Sequence, residues 1–377
     1  MRIYLSKPHM CGAEQEYVRD AFSSNFIAPL GPHLDAFEES VSKYLGGDLY
    51  CVGLSSGTAA LHLALIISGV KKGDEVWVSS MTFGGGVFPI VYIGAIPRFF
   101  DLNPETWCID IDILRQELIN ASNENRLPKA IIPTDLYGQS VDLKSIENLA
   151  SEFGVKVIID SAESLGAEYL EGRKAGSGGD ASILSFNGNK IITTSGGGML
   201  VTKHKEWAEK ARHLSTQARD KAIHYEHSSI GFNYRLSNIS AAIGLGQMTV
   251  LDERVNKRRE IFSKYNTLLE NIEGINFMPE PKGYKSSRWL TTLTVDEDCY
   301  GKSHLDIINF LSEYKIESRP LWKPMHMQPV FKGAPYHGNC FDESLFNSGI
   351  CLPSSSNLTK DEQEEVVSLI LQFLNGQ

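Results

Sequence analysis

The segment Ser182-Ile183-Leu184-Ser185-Phe186-Asn187-Gly188-Asn189-Lys190 joins an apolar, strand-type run to a polar turn that delivers one lysine at its exit. A lysine leaving buried backbone through a tight turn loses part of its hydration, and that loss favours the uncharged amine that Schiff-base chemistry needs. Most lysines are solvated surface charges, so Lys190 gains weight only from its companions. Asp160 is one of them. It closes the apolar run Val155-Lys156-Val157-Ile158-Ile159, which puts a carboxylate at the carboxyl end of a buried strand, where it needs a partner. A protonated ring nitrogen, a metal, or the first N–H groups of the next helix would each serve. The other companion is Ser55-Ser56-Gly57-Thr58, set between strand-like Tyr50-Cys51-Val52-Gly53-Leu54 and a helical Ala/Leu run through Ile67. Strand, small turn and helix make an anion cradle, because the leading N–H groups of a helix are unpaired and its dipole favours negative charge. The same residues also read as a plain N-cap by Ser56 or Thr58. The Walker pattern with its lysine is missing, so ATP is not implied.

The remaining chain must hold these three groups together. Glu75-Val76-Trp77-Val78, Pro97-Arg98-Phe99-Phe100 and Ala130-Ile131-Ile132-Pro133-Thr134 read as strands separated by helical patterns, which predicts an α/β fold with a mostly parallel central sheet flanked by helices. Such sheets bind ligands at the carboxyl ends of their strands. Before them, helices are expected over residues 12 to 24, with Tyr17, Ala21 and Phe22 on one face, and from Leu34 to Tyr44. The loop between them, Asn25-Phe26-Ile27-Ala28-Pro29-Leu30-Gly31-Pro32, is too apolar to lie wholly in solvent and suits either a core cover or a pocket wall. A charge-striped helix from Asp252 onward marks the expected boundary between a large domain, 1–255, and a smaller C-terminal α+β domain, 256–377. A strand is expected in the smaller part from Trp289 to Val295, and helices at Leu305–Tyr314 and 360–375.

Composition narrows the function. A formal charge of −10 disfavours non-specific nucleic-acid binding, and no apolar stretch is long enough to span a bilayer or to act as a secretion signal. Six scattered cysteines without a C-x-x-C pair argue against a disulfide framework or zinc site and point to a reducing cytoplasm. His224-x-x-His227 has no third ligand nearby and reads as a solvated loop, so no metal is expected.

Phosphate cradle, strand-end carboxylate and post-strand lysine, in this order, match the contacts of pyridoxal 5′-phosphate through phosphate, ring nitrogen and aldehyde. The chain also resembles the DegT/DnrJ/EryC1/StrS sugar aminotransferases, a pyridoxal-phosphate-dependent family of fold type I, similar to aspartate aminotransferase. The resemblance runs end to end. It is carried by Ser6-Lys7-Pro8-His9-Met10, Asn25-Phe26-Ile27-Ala28-Pro29-Leu30-Gly31, Ser56-Gly57-Thr58-Ala59-Ala60, the run from Ser185 to Leu200, His224-Tyr225-Glu226-His227, Asn233-Tyr234-Arg235-Leu236-Ser237-Asn238 and Arg319-Pro320-Leu321-Trp322-Lys323-Pro324-Met325-His326. Within the family the last stretch is most similar to the aminotransferases that make UDP-4-amino-4,6-dideoxy-N-acetyl-glucosamine for bacillosamine.

The resemblance implies that Lys190 links to the cofactor and later shuttles a proton, and that Asp160 keeps the pyridine nitrogen protonated. Gly57, Thr58 and Ser185 then hold the phosphate, with Ser56 beside them, and Phe83 stacks on the ring. Glu163 lies next to the cofactor hydroxyl, where many members carry Gln and the bacillosamine-type members Glu. Asn233 matches a residue donated across a homodimer interface to the neighbouring site. For a UDP-linked 4-keto sugar it points to Asn25, Phe26, Ile27 and Ala28, to Ser56, Ser185 and Asn233, and to Arg319, Met325, His326, Met327 and Gln328. Arg319 could pair with a diphosphate or with the carboxylate of the donor, L-glutamate. Gly84-Gly85-Gly86 replaces bulkier residues and is expected to widen the sugar pocket. The alternatives are a GDP- or dTDP-linked sugar, or a non-catalytic nucleotide-sugar-binding protein of this fold.

Overall fold

The computed structural model describes residues 1–376. Its strands are β1 (Tyr50–Leu54), β2 (Glu75–Ser79), β3 (Ile96–Phe100), β4 (Ala130–Ile132), β5 (Lys156–Asp160), β6 (Ala181–Ser185), β7 (Gly198–Thr202), β8 (Ile275–Phe277), β9 (Thr291–Val295), β10 (Arg319–Pro320), β11 (Tyr336–His337) and β12 (Gly349–Leu352). Eight of them form one sheet in the order β1-β7-β6-β5-β4-β2-β3-β11. Every pairing from β6 to β11 is parallel, and β7 runs antiparallel to both of its neighbours. The near-continuous apolar runs of the central strands follow from burial on both faces. Val76, Val78, Ile132 and Ile158 pack on one side with the helix Gly57–Ile67. Trp77, Ile131, Val157 and Ile159 pack on the other with the helices Ile111–Asn123 and Leu143–Phe153. Alternation along a strand thus sends successive side chains into two separate cores.

Strand order reverses between β2 and β4, so the carboxyl ends of β2, β4, β5 and β6 open onto one edge. The antiparallel β7 adds its first residue to that edge, with Gly198 opposite Ser185 and Leu54. A Cβ on Gly198 would lie 2.3 Å from the backbone nitrogen of Gly57. Glycine is therefore what lets the start of the Gly57–Ile67 helix sit against β7.

The second sheet, β10-β12-β9-β8, is antiparallel throughout. It is covered by the helices Leu251–Leu269, His304–Glu313 and Lys360–Leu374 around a core that includes Tyr265, Leu293, Ile307, Ile350 and Val366. The strand expected from Trp289 begins two residues later, at Thr291, because Trp289 turns away to the large sheet's edge. The two layers exchange short pieces: Ile3 bridges to Ile316 within the smaller core, and β11 extends the larger sheet beside β3. We propose a division at about residue 255 into a large and a small domain, with these two segments crossing it. Among the described residues no helix is long and apolar enough to cross a membrane.

The packing at Gly198 gives a direct check. Gly198→Ala should lower the unfolding free energy by about 1–3 kcal/mol through overpacking. Gly196→Ala, whose added Cβ meets nothing within 4 Å, should change it by less than about 0.5 kcal/mol in the same denaturant titration.

Candidate active site

The Lys190 N–H donates to the Asn187 carbonyl (3.0 Å), closing the turn after β6 and aiming the lysine into a cavity of about 800 Å³. Only 12% of its side chain is exposed. Nζ lies 3.5 Å from Glu163 Oε1 and 3.9 Å from the centre of the Trp289 ring. Asp160 ends β5 one strand away. It accepts from the Ala162 N–H (3.2 Å) and from Thr82 Oγ1 (3.4 Å), and it has no ion-pair partner among the described residues. Burial pushes its carboxyl up, against the pull of the Ala162 N–H and the Lys190 charge. Glu163 is raised as well, first by burial, while Lys190 and the Tyr137 N–H, which donates to Oε2 at 2.8 Å, oppose that shift. Two buried carboxylates thus stand near one lysine that is within reach of Glu163 alone, and Asp160 faces the hollow without an ion-pair partner of its own.

The opposite wall is the start of the Gly57–Ile67 helix. Ser56 does cap it, since its Oγ accepts from the Ala59 N–H (3.0 Å). Cap and cradle coexist, because Gly57 and Thr58 at the first turn still line the cavity. Space between Thr58 and Asp160 is kept by glycine: a Cβ on Gly85 would lie 2.7 Å from Thr58 Oγ1, and one on Gly86 2.6 Å from Asp160 Oδ2. The Gly84-Gly85-Gly86 run therefore serves close approach on the Asp160 side. A lysine, an unpaired buried carboxylate and a helix N-terminus around a glycine-lined hollow are groups of the kinds that pyridoxal 5′-phosphate needs.

The cavity also collects Ser56, Phe83, Glu163, Ser185 and Arg319. Phe83 is 66% exposed and its ring lies 5.7 Å from that of Trp322. Arg319 sits at the rim, 64% exposed and paired with Glu317 (3.0 Å). Other expected residues do not line it. Asn25, Phe26 and Ile27 are exposed, and Asn238 ties their loop down by donating its N–H to Ala28 O and its side-chain amide to Phe26 O. Asn233 is exposed on a turn that bridges to Thr216. Met325 is buried in the core of the large sheet, and its N–H donates to Ser80 O. His326 stacks on Tyr336 and meets Glu343 Oε1 at 3.1 Å, and Met327 and Gln328 follow half-buried. These residues are held by contacts within the chain, because the segment after Lys323 turns under the sheet edge to reach β11. His224 and His227 are exposed and pair with Glu226 and the Gln217 carbonyl.

Sequence reasoning missed Thr82, Tyr137, Trp289 and Lys323. Thr82 and Tyr137 lie in turns after strands, where the edge rule could have found them. Trp289 carries no local signal, since only the crossing between the two sheets brings it to Lys190.

A model of the DegT/DnrJ/EryC1/StrS aminotransferase family matches residues 8–371. The Bacillus subtilis (strain 168) protein named "Putative pyridoxal phosphate-dependent aminotransferase EpsN" is 50% identical over 99% of this chain and 96% of its own. GDP-perosamine synthase of Escherichia coli O157:H7 is 33% identical over 97% of each. Among solved structures, Helicobacter pylori PseC, an aminotransferase involved in the biosynthesis of pseudoaminic acid, superposes with a TM-score of 0.91 at 25% identity, covering 100% of both chains.

The Glu163 environment predicts a pH effect. Its folded-state pKa lies above the ordinary glutamate value of 4.5, so its contribution to stability is complete below that value and is lost as pH rises through the raised one. In the cofactor-free protein, Glu163→Gln should flatten the fall in stability between about pH 4.5 and about pH 7. Thermal melts at stepped pH test this, and an unchanged slope would contradict it.

Proposed function

The chain belongs to the DegT/DnrJ/EryC1/StrS aminotransferase family and depends on pyridoxal 5′-phosphate. From that premise we propose that it transfers the amino group of L-glutamate to C4 of a UDP-linked 4-keto-6-deoxy-N-acetylhexosamine, giving UDP-4-amino-4,6-dideoxy-N-acetyl-glucosamine. One observation carries the reading: Lys190, Asp160 and the start of the Gly57–Ile67 helix meet in a single cavity. When bound, the cofactor supplies an electron sink for the carbanion that amino transfer creates. The Asp160 carboxylate holds the proton on the ring nitrogen that makes this sink effective. The Lys190 amine would hold the cofactor and, as a free amine, would carry the proton to and from the reacting carbon. Gly57, Thr58 and Ser185 anchor the phosphate, Phe83 walls the ring, and Glu163 stands beside Lys190.

Arg319 and Lys323 at the rim supply positive charge for the donor carboxylate or the diphosphate, with Arg319 exchanging Glu317 for the ligand. Asn25, Phe26, Ile27, Ala28 and Asn233 lie outside the cavity of a single chain. The exposure of Asn25, Phe26, Ile27 and Asn233 supports a homodimer in which a second copy brings Asn233 to its neighbour's site and covers the apolar Phe26, Ile27 and Leu30. The UDP carrier is supported by the likeness of the Arg319–His326 stretch and by Glu163. A cytoplasmic setting accords with the proposed nucleotide-sugar substrate. The second reading, a GDP-linked 4-keto-6-deoxy sugar, is favoured by the similarity to a GDP-perosamine synthase.

Borohydride should fix the cofactor to a peptide containing Lys190, and Lys190→Ala should lower turnover by about 10³-fold or more while pyridoxamine phosphate still binds. The amino-loaded enzyme, offered UDP-, GDP- and dTDP-linked 4-keto sugars in turn, should regain its starting absorption fastest with the UDP sugar. Preference for the GDP sugar would establish the second reading.

A further inference from the structure

The carbonyl immediately before Lys190 is held from outside the large sheet. Asn189 O accepts from Ser6 Oγ (2.6 Å) and from Trp289 Nε1 (2.7 Å). These donors come from distant parts of the chain, and both answer to Arg258. The Arg258 side chain is 1% exposed and donates to Ser6 Oγ (3.0 Å), to Ser354 O (3.0 Å) and to Trp289 O. Among the described residues it has no carboxylate within ion-pair reach, and burial pushes its guanidinium down to about 9. A buried cation with only neutral acceptors is costly, so its geometry is informative.

A serine hydroxyl has one proton. Because Ser6 Oγ accepts from Arg258, that proton is directed to Asn189 O. Trp289 is fixed at two points, its carbonyl on Arg258 and its indole N–H on Asn189 O, and the ring so fixed lies 3.9 Å from Lys190 Nζ. One cation thereby orders two donors on a single carbonyl and one aromatic face against the amine.

We infer that Ser6, Trp289 and Arg258 form a positioning clasp for Lys190, setting the Asn187–Lys190 turn and the direction of the amine toward Asp160 and Glu163. Ser6 and Arg258 lie outside the cavity lining and act only through the turn and Trp289. The inference rests on the reading that Lys190 carries the cofactor. Because the carbonyl has two donors, either alone keeps it paired, and only loss of both leaves it without a partner.

The test uses Ser6→Ala, Trp289→Phe, the double variant and Ser6→Thr. Three quantities are read: the dissociation constant of pyridoxal 5′-phosphate by spectral titration, the pH midpoint of the bound cofactor's absorption, and the melting temperature of the cofactor-free protein. Each single variant should weaken cofactor binding by about two- to fivefold, since the remaining donor keeps the carbonyl paired but less firmly held. The double should weaken it by more than the product of the singles and displace the absorption midpoint. Ser6→Thr, which keeps the hydroxyl, should behave as the parent. A double variant that binds and titrates as the parent, losing only melting temperature, would overturn the clasp. Should the double not fold, the serine pair decides: a change in Ser6→Ala absent from Ser6→Thr supports the clasp, and equal behaviour overturns it. Borohydride labelling of the parent separates the two readings, since a label away from Lys190 would sink the site assignment itself.

Discussion

A carboxylate buried at the end of β5 without an ion-pair partner of its own is the constraint around which this edge of the sheet is built. An unpaired buried charge is among the least tolerable features of a fold, and Asp160 is eased only by one backbone N–H and one long hydroxyl contact. Its surroundings are arranged for a positive group to arrive. Gly86 leaves room at Oδ2, and the neighbouring ammonium of Lys190 is already engaged by Glu163. A ligand that brings a protonated nitrogen to this point relieves the burial penalty and so stabilises the folded chain by mass action.

The same edge shows how close approach is obtained. The antiparallel β7 puts Gly198 where any side chain would strike the first peptide of the Gly57–Ile67 helix, and Gly85 does the same service at Thr58. The helix start is thus drawn up against the strand ends, which makes an anion site of unpaired N–H groups within reach of a lysine one strand away. Backbone contacts to a phosphate need this proximity, and bulkier residues would forfeit it.

The second sheet closes the cavity with aromatic side chains. Tyr137, at φ 51°, accepts the Trp322 N–H on its hydroxyl and gives its own N–H to Glu163, so one buried residue links the carboxylate to the segment after β10. At the rim and beyond, charges the sequence suggested for ligands are paired within the chain: Arg319 with Glu317, and His326 with Glu343. An anion could reach the Arg319 guanidinium only by displacing Glu317, which a bidentate anion does more readily than a weaker one.

Sequence alone determined the parallel α/β sheet, the strand-end placement of Asp160, the post-strand Lys190 and the helix-start cradle. Each of these is written in a short stretch whose period and punctuation reflect local physics: apolar runs for strands buried on both faces, small residues for the turn, glycine where backbones touch. It also delivered the likeness to an aminotransferase family, which the comparison over residues 8–371 sustains. What it could not decide was anything assembled from distant segments. Trp289 reaches Lys190, Ser6 reaches Asn189, and Met325 is drawn into the core instead of the cavity because two sheets meet along one seam. Such contacts are set by how layers pack, and no periodicity along the chain encodes which residues face each other across that seam.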